Sequence, residues 1–191
     1  MMNLHYIFLI IGIVILIYLY ILYVGLVKKR NMLKEAASDV DVQLNKRYDL
    51  IPNILNMASK FMEHEKTLLS EIVRLRSEAM AQNFTINPSE QMKIENMLED
   101  KLKAFWLNVE NYPELKSNQT MIQAMQTFEN VEDHIAAARR FYNNALRNLC
   151  DSVEIFPSSL VAKIVGIKAD KPFFEASEIA KERINAKDYL K

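Results

Sequence analysis

The chain begins with an apolar segment that carries no charged residue from position 6 to position 27. The segment is rich in Ile, Leu, Val and Tyr, and the basic residues Lys28, Lys29 and Arg30 follow it at once. As an α-helix it is about 33 Å long, enough to cross the roughly 30 Å hydrocarbon core of a bilayer. An uncharged run of this length also exceeds what a buried core helix requires. The sequence therefore predicts a transmembrane helix over residues 6–27.

The flanks of this segment favour a signal anchor over a cleaved signal peptide. A cleavable signal needs a basic start, an apolar run of about 7–15 residues and a small-residue cleavage site. Here no Lys or Arg precedes the run, the run is longer, and no such site follows it. Because short basic flanks stay in the cytoplasm, Lys28, Lys29 and Arg30 act as the expected topology signal. We expect the N-terminus outside the cell and the remaining chain inside.

The composition beyond the anchor favours one helical domain. About 160 residues remain, which is enough for one sizeable core. The 24 basic and 24 acidic residues balance, so a general nucleic-acid binder is not expected. The single Cys150 cannot form an internal disulfide, which fits a reducing compartment. Only three glycines occur, none of them between residues 27 and 165, a poor supply for hairpins or phosphate loops.

Apolar residues at alternating steps of four and three predict long packed helices with the spacing of a coiled coil. Residues 118–156 keep this spacing for five heptads, which indicates one continuous helix. A second helix of about 25 residues begins at Asn87 and Pro88 and is stopped by Pro113. A third seam extends from Leu33 to Ala79, and a stretch of that length is expected to bend back within the bundle.

Two places could reverse the chain within this third seam. Pro52 removes a helix hydrogen bond, and Asp49 could cap a new helix that keeps Pro52 in its first turn. Alternatively the polar residues 63–66 form the turn, and Pro52 only kinks the first helix. We prefer the second, since Leu50 and Ile51 are poor candidates for an exposed loop. Either choice predicts an all-α protein in which the transmembrane helix precedes an antiparallel up-down four-helix bundle over residues 29–156.

Residues 157–191 are predicted to form a short amphipathic helix and a polar tail. The helix starts near Pro157 and ends at Gly166, and the tail is expected to be loosely held. Its apolar residues could cap the bundle core, enter the membrane interface or bind a partner. The candidate contacts with a partner or the membrane are Leu160, Val161, Ile164, Val165, Phe173 and Phe174.

No motif for catalysis or metal binding stands out. A di-metal bundle needs Glu-x-x-His pairs, but Phe61 and Val131 stand three residues before His64 and His134. Cys150 and His134 are roughly 24 Å apart on one predicted helix, too far to act as nucleophile and base. We therefore expect no cofactor, no metal and no catalytic residue. Cys150 is expected to be a small buried or half-buried apolar residue.

Four charged residues interrupt the apolar seams. A buried charge without a partner is costly, so these residues are expected to pair. They could form a polar layer that sets the register of the helices, or a polar site for a ligand or partner peptide. The candidate buried polar layer consists of Arg47, Glu65, Glu132 and Arg139.

Several stretches of the chain strongly resemble the LemA family of bacterial membrane proteins. They are residues 41–44 and 47–53, Glu-Asn-Tyr-Pro-Glu-Leu at 110–115, Ile-Ala-Ala-Ala-Arg-Arg-Phe-Tyr-Asn at 135–143, and Phe-Pro-Ser-Ser-Leu-Val-Ala-Lys at 156–163. The chain departs from the family pattern at Ala37, where Trp is common, and residues 74–81 are less rich in Ala. The resemblance implies an N-out single-span anchor in a bacterial inner membrane with a cytoplasmic helical bundle. One branch is similar to proteins of magnetosome membranes, which implies membrane organisation.

The leading functional expectation is a non-enzymatic scaffold or adaptor at the cytoplasmic face of the membrane. Its N-terminal helix would contact membrane lipid, and its bundle or the segment after it would contact an unidentified protein partner or a second copy of the chain. The alternative is a regulatory subunit that docks on a membrane enzyme such as a protease. A hydrolase activity of the chain itself is the least favoured of the three.

Overall fold

The computed structural model describes residues 4–175, and the polar tail predicted beyond them lies outside this range. Within it every regular element is a helix, so the all-α prediction is confirmed for the described residues. The α-helices are α1 (Leu4–Ala58), α2 (Lys66–Met80), α3 (Pro88–Val109), α4 (Pro113–Lys116), α5 (Gln119–Glu154) and α6 (Ser158–Val165), with a short 3-10 helix at Glu63–Glu65.

Helix α1 passes through Pro52 without ending. The helix breaks at residues 59–65, which include most of the preferred turn segment 63–66, and Pro52 is internal to a helix. A proline inside a helix costs about 3 kcal/mol. Burial of the apolar side chains around it offsets this cost, since each buried Leu or Ile contributes about 1.5–3 kcal/mol. The buried side chains of these two turns are Ile51, Ile54, Leu55 and Ala58.

Pro52 leaves one backbone carbonyl of α1 without its usual helical donor. The carbonyl of Tyr48 would accept a hydrogen bond from the amide of residue 52, but proline has no N–H. The guanidinium of Arg76 fills this gap, because its Nε donates to the Tyr48 carbonyl oxygen at 2.6 Å. The turn of α1 that precedes Pro52 is therefore joined directly to a side chain of α2.

Local sequence signals begin and end the remaining helices. Pro88 occupies the first turn of α3, where a missing N–H costs nothing. The Asn118 side chain caps α5 by accepting hydrogen bonds from the amides of Thr120 and Met121 at 3.0 and 3.2 Å. Gly166 ends α6 in the left-handed conformation at φ 72°. These features confirm the predicted starts near residues 87 and 118 and the predicted end at Gly166.

The described chain divides into two units, each with buried residues of its own. The first unit comprises residues 4–44 and 132–171, and the second comprises residues 45–131 and 172–175. In the first unit most buried side chains come from α1, α5 and α6, among them Leu26, Leu33, Val40, Leu44, Ile135, Tyr142, Leu146, Leu149, Val161 and Ala162. The seam predicted for α5 runs too far, because Phe156 is 74% exposed.

In the second unit α2 and α3 pack against one another along their apolar faces. The buried side chains are Leu69, Ile72, Leu75 and Ala79 on α2 and Leu98, Leu102, Phe105 and Val109 on α3. At the surface the Lys101 ammonium lies 2.5 Å from the Glu71 carboxylate. This hydrogen-bonded charge holds the pKa of Glu71 below its ordinary value. Phe174 stacks on Phe84 with ring centroids 5.0 Å apart, which attaches residues 172–175 to this unit.

The coupling between Pro52 and Arg76 can be tested with a double-mutant cycle. Arg76→Ala should destabilise the protein by about 1–3 kcal/mol, because it leaves the Tyr48 carbonyl without a donor. In a Pro52→Ala background the new amide at residue 52 can donate to that carbonyl, so Arg76→Ala should cost clearly less. The measurement is urea unfolding of the full chain in detergent, followed by circular dichroism. An equal cost in both backgrounds would contradict the coupling.

Candidate functional site

A cluster of four polar side chains lies enclosed in the second unit. It consists of Arg47 and Tyr48 on α1 and of Gln91 and Glu95 on α3, and none is more than 2% exposed. The Arg47 guanidinium forms an ion pair with the Glu95 carboxylate. The Tyr48 hydroxyl donates a hydrogen bond to the other oxygen of that carboxylate. Gln91 Nε2 donates to the Tyr48 hydroxyl at 2.8 Å and to Glu95 Oε1 at 3.2 Å. We call these four residues the enclosed cluster.

Helix geometry explains why these residues meet. Gln91 and Glu95 are four residues apart on α3, so their side chains share one face of that helix. Arg47 and Tyr48 are adjacent on α1, and both are buried against the unit. Arg76 adds a second link, since it bonds the backbone of the same Tyr48. Helices α1, α2 and α3 are therefore all connected through one turn of α1.

The electrostatics of the enclosed cluster are those of a compensated buried charge. An isolated guanidinium or carboxylate in a protein interior carries a desolvation cost of several kcal/mol. Glu95 offsets the charge of Arg47, and hydrogen bonds from Tyr48 and Gln91 satisfy the carboxylate further. Because the members bind one another and almost no surface of them reaches solvent, the arrangement is suited to fixing helix register.

Sequence reasoning found Arg47 but missed Glu95 and Gln91. Apolar residues alone place Ile94 on the packed face of α3, yet Ile94 is only half-buried and the neighbouring Glu95 is buried. A strict continuation of the four and three spacing back from Leu98 reaches Glu95 and then Gln91. The sequence signal for Glu95 is thus its place in the four and three spacing of α3, together with the opposite charge of Arg47 on the seam of α1.

The other three members of the predicted polar layer are half-buried. Glu65 ends the short 3-10 helix and is half-buried in the second unit. Glu132 and Arg139 are half-buried on α5 in the first unit, where they are seven residues apart and so share one face. A layer containing all four residues stays a prediction, and the enclosed cluster is the part of it with described geometry.

The topology signal lies at the surface of the first unit. Lys28, Lys29 and Arg30 are exposed on α1, directly after the apolar run. The ammonium of Lys29 donates a hydrogen bond to the hydroxyl of Ser152, which lies near the end of α5. The basic flank of the apolar run is therefore in contact with the C-terminal end of α5.

The six candidate contact residues after the bundle fall into two groups. Val161 is buried, and Phe174 is half-buried in its stack with Phe84. The others, Leu160, Ile164, Val165 and Phe173, are exposed large apolar side chains.

An open groove with a volume of about 430 Å³ is present in the second unit. It lies between the last turns of α1 and the first turns of α5. Its walls combine apolar and small polar side chains, including Leu50, Ile54, Met57, Gln123, Ala124 and Thr127.

The remaining candidate groups for chemistry are two histidines, Cys150 and Tyr142. His64 and His134 are both exposed. Cys150 is half-buried as expected, and burial, with the nearby carboxylates of Glu154 and Asp151, raises the pKa of its thiol. Burial likewise raises the pKa of Tyr142 to about 12. Among residues 4–175 no three His, Cys, Asp or Glu side chains lie together in a way that could hold a metal ion.

Comparison with known proteins identifies the family. The model of the LemA family matches residues 36–187, which is most of the chain. The chain belongs to the LemA family. It is also 24% identical over 170 residues to a protein LemA of Metamycoplasma hominis, a match that covers 87% of this chain and 75% of that protein. The predicted family is thus confirmed.

The apolar N-terminal helix lies largely before the part of the chain that matches the LemA model. Within the described residues, α1 is the one helix long and apolar enough to cross a membrane, and none of its most apolar stretch is buried in the protein. Together with the LemA membership, this helix fits a membrane-anchored protein.

Removing one partner of the enclosed cluster should be far more costly than removing a surface charge. We expect Arg47→Ala to destabilise the LemA-family chain by about 3–5 kcal/mol, because Glu95 then stays buried and uncompensated. The double variant Arg47→Met with Glu95→Leu should recover much of this loss. The control is Arg74→Ala, which removes an exposed pair with Glu78 and should cost under about 1 kcal/mol. Similar losses for Arg47→Ala and Arg74→Ala in urea unfolding would rule out a compensated buried charge.

Proposed function

We propose that this LemA-family chain is a single-pass membrane-anchored scaffold or adaptor without catalysis of its own, acting at the cytoplasmic face of a bacterial membrane. The observation that carries the proposal is the enclosed cluster. Its charged and hydrogen-bonding side chains bind one another and are at most 2% exposed, so they hold α1 and α3 in a fixed register. A helical unit with a fixed helix register, on a chain that also carries a membrane helix, is suited to holding other molecules in place.

The proposal includes an antiparallel up-down bundle. Heptad spacing on several helices supports it, as does the packing of α2 on α3. The connections are short as well, with residues 59–65 between α1 and α2 and residues 81–87 between α2 and α3. Short links of this kind join neighbouring antiparallel helices in bundles.

The proposed orientation rests on the asymmetry of charge around the apolar run. No Lys or Arg precedes the run, and three exposed basic residues follow it. In a Cys150→Ala background, a cysteine introduced by Asn3→Cys should react with an impermeant thiol reagent on intact cells. A cysteine introduced by Lys60→Cys, an exposed position, should react only after lysis. The opposite labelling pattern would place the helical part outside the cell and refute the cytoplasmic role.

We assign partner binding to the open groove of the second unit. It offers apolar surface from Leu50 and Met57 beside the amide of Gln123, a combination that suits a peptide segment or helix of another protein. The groove is separate from the enclosed cluster, so its side chains are not needed to compensate a buried charge.

The functional proposal is tested by purifying the full chain from crosslinked native membranes. A scaffold or adaptor should be recovered with a stoichiometric protein, and Ala124→Arg, which places a large charge in the groove, should reduce that recovery at least several-fold. The control Met97→Arg adds the same charge at an exposed position of α3 and should leave recovery unchanged. Circular dichroism melting checks that both variants fold.

The identity of the recovered protein separates the two candidate roles. A membrane enzyme whose turnover changes when the chain is removed would favour the regulatory subunit. A non-enzymatic partner, or a second copy of the chain, would favour the scaffold. A hydrolytic activity that purifies with the chain alone would refute the proposal.

A further inference from the structure

Helix α6 is apolar on two sides, but the protein covers only one of them. Val161 and Ala162 are buried in the first unit, as is Ile167 just after the helix. On the other side Leu160 and Ile164, four residues apart, are 54% and 85% exposed. The residues that lead into the helix extend this surface, because Ile155 and Phe156 are 60% and 74% exposed. We call Ile155, Phe156, Leu160 and Ile164 the apolar edge.

Such a group of exposed apolar side chains marks a surface that contacts something other than water. Single exposed apolar residues are ordinary on protein surfaces. Four large ones within ten residues, on a helix whose opposite side is already buried, are not explained by core packing. The occupant of the apolar edge has to be inferred from where the edge lies in the first unit.

The hydrogen bond between Lys29 and Ser152 fixes the level of the apolar edge along α1. Lys29 is two residues beyond the apolar run of α1, a rise of about 3 Å. Ser152 is four residues before Phe156, and four residues span at most about 14 Å. The apolar edge therefore begins near the level along α1 at which the apolar run ends.

The end of the membrane helix is itself covered by protein. Leu26 is only 2% exposed, and Val24, Gly25 and Val27 are half-buried. In contrast, Phe8 and Leu16, which lie earlier in the same run, are 63% and 67% exposed and thus available to lipid. Part of the first unit consequently packs beside the last turn of the apolar run, at a depth where the surrounding medium is the membrane interface.

The charges around α6 fit an anionic membrane surface. Lys163 on the helix and Lys168 and Lys171 after it are all exposed. From residue 155 to residue 171 the only acidic residue is Asp170. Asp151 and Glu154 lie just before this segment, at the end of α5. A short segment with exposed large apolar residues and flanking lysines has the composition of an interfacial helix.

We propose that α6 and the two residues before the Pro157 turn form an interfacial element. The apolar edge enters the headgroup and acyl boundary of the bilayer, and Lys163, Lys168 and Lys171 face anionic lipid headgroups. Val161 and Ala162 hold the same helix to the first unit, so membrane contact and core packing use opposite sides of α6. This inference rests on the membrane anchoring in the proposed function and not on the scaffold role.

The test places one fluorescent probe at a time in the full chain, reconstituted in lipid nanodiscs at one copy per disc. In a Cys150→Ala background, the environment-sensitive dye NBD is attached to a cysteine introduced by Ile164→Cys. Two matched positions serve as references, Val14→Cys in the apolar run and Leu107→Cys on α3, where Leu107 is 70% exposed. Quenching by phospholipids spin-labelled near the headgroup and along the acyl chains reports lipid contact.

At residue 164 we expect quenching at least threefold stronger than at residue 107, with the shallow quencher more effective than the deep one. Residue 14 should be quenched best by the deep quencher. Strong quenching at residue 14 but none above the residue 107 level at residue 164 would overturn the inference and leave the anchor intact. Absence of quenching at residue 14 would overturn both.

Two further outcomes distinguish other occupants of the apolar edge. Blue-shifted emission at residue 164 without lipid quenching would mean that protein covers the edge, and the inference would fail. Replacing anionic by zwitterionic lipid should reduce the quenching at residue 164 about twofold or more, as should the double variant Lys163→Glu with Lys168→Glu. Residue 14 should be unaffected by either change. If neither the lipid replacement nor the double variant reduces the quenching at residue 164, the proposed contacts between the lysines and anionic headgroups are refuted.

Discussion

The charge of Arg47 has to be compensated inside the protein, and this requirement connects the helices of the second unit. Glu95 on α3 is the counter-charge, and Tyr48 and Gln91 complete its hydrogen bonds. A shift of α3 by one helical position would move Glu95 away from Arg47. The Arg47 guanidinium would then be buried without a counter-charge, which would destabilise the unit. The pair thus selects one register of α1 against α3, which apolar packing alone specifies less sharply.

Pro52 affects the same part of the second unit because it has no backbone N–H to donate. The Tyr48 carbonyl that it leaves free is taken by Arg76, while the Tyr48 hydroxyl serves Glu95. Tyr48 of α1 therefore binds α2 through its backbone carbonyl and α3 through its side-chain hydroxyl. An irregularity in the helix becomes a point of attachment because buried backbone carbonyls need partners.

Helix α1 meets different surroundings along its length. Its early residues expose apolar side chains on all sides, whereas from Leu26 onward apolar side chains are buried at heptad-like spacing. The first environment requires a hydrocarbon solvent, and the second requires neighbouring helices. The change occurs near Lys29, which bonds α5 at Ser152. In the proposed function this continuity makes the membrane helix part of the first unit, and the α6 contact that we propose would be its second contact with lipid.

The sequence by itself determined the features that depend on neighbours along the chain. The apolar run, the α5 cap at Asn118 and the end of α6 at Gly166 all follow from local hydrogen bonding and helical period, whereas the sequence left the break of α1 open between Pro52 and residues 63–66. The LemA membership was likewise readable from linear stretches. Tertiary structure decided which charge meets Arg47, because Glu95 is 48 positions away and its role depends on how two helices pack. It also decided that Phe156 is exposed and that Leu26 is covered, since heptad spacing predicts a face but cannot say where the neighbouring helix ends.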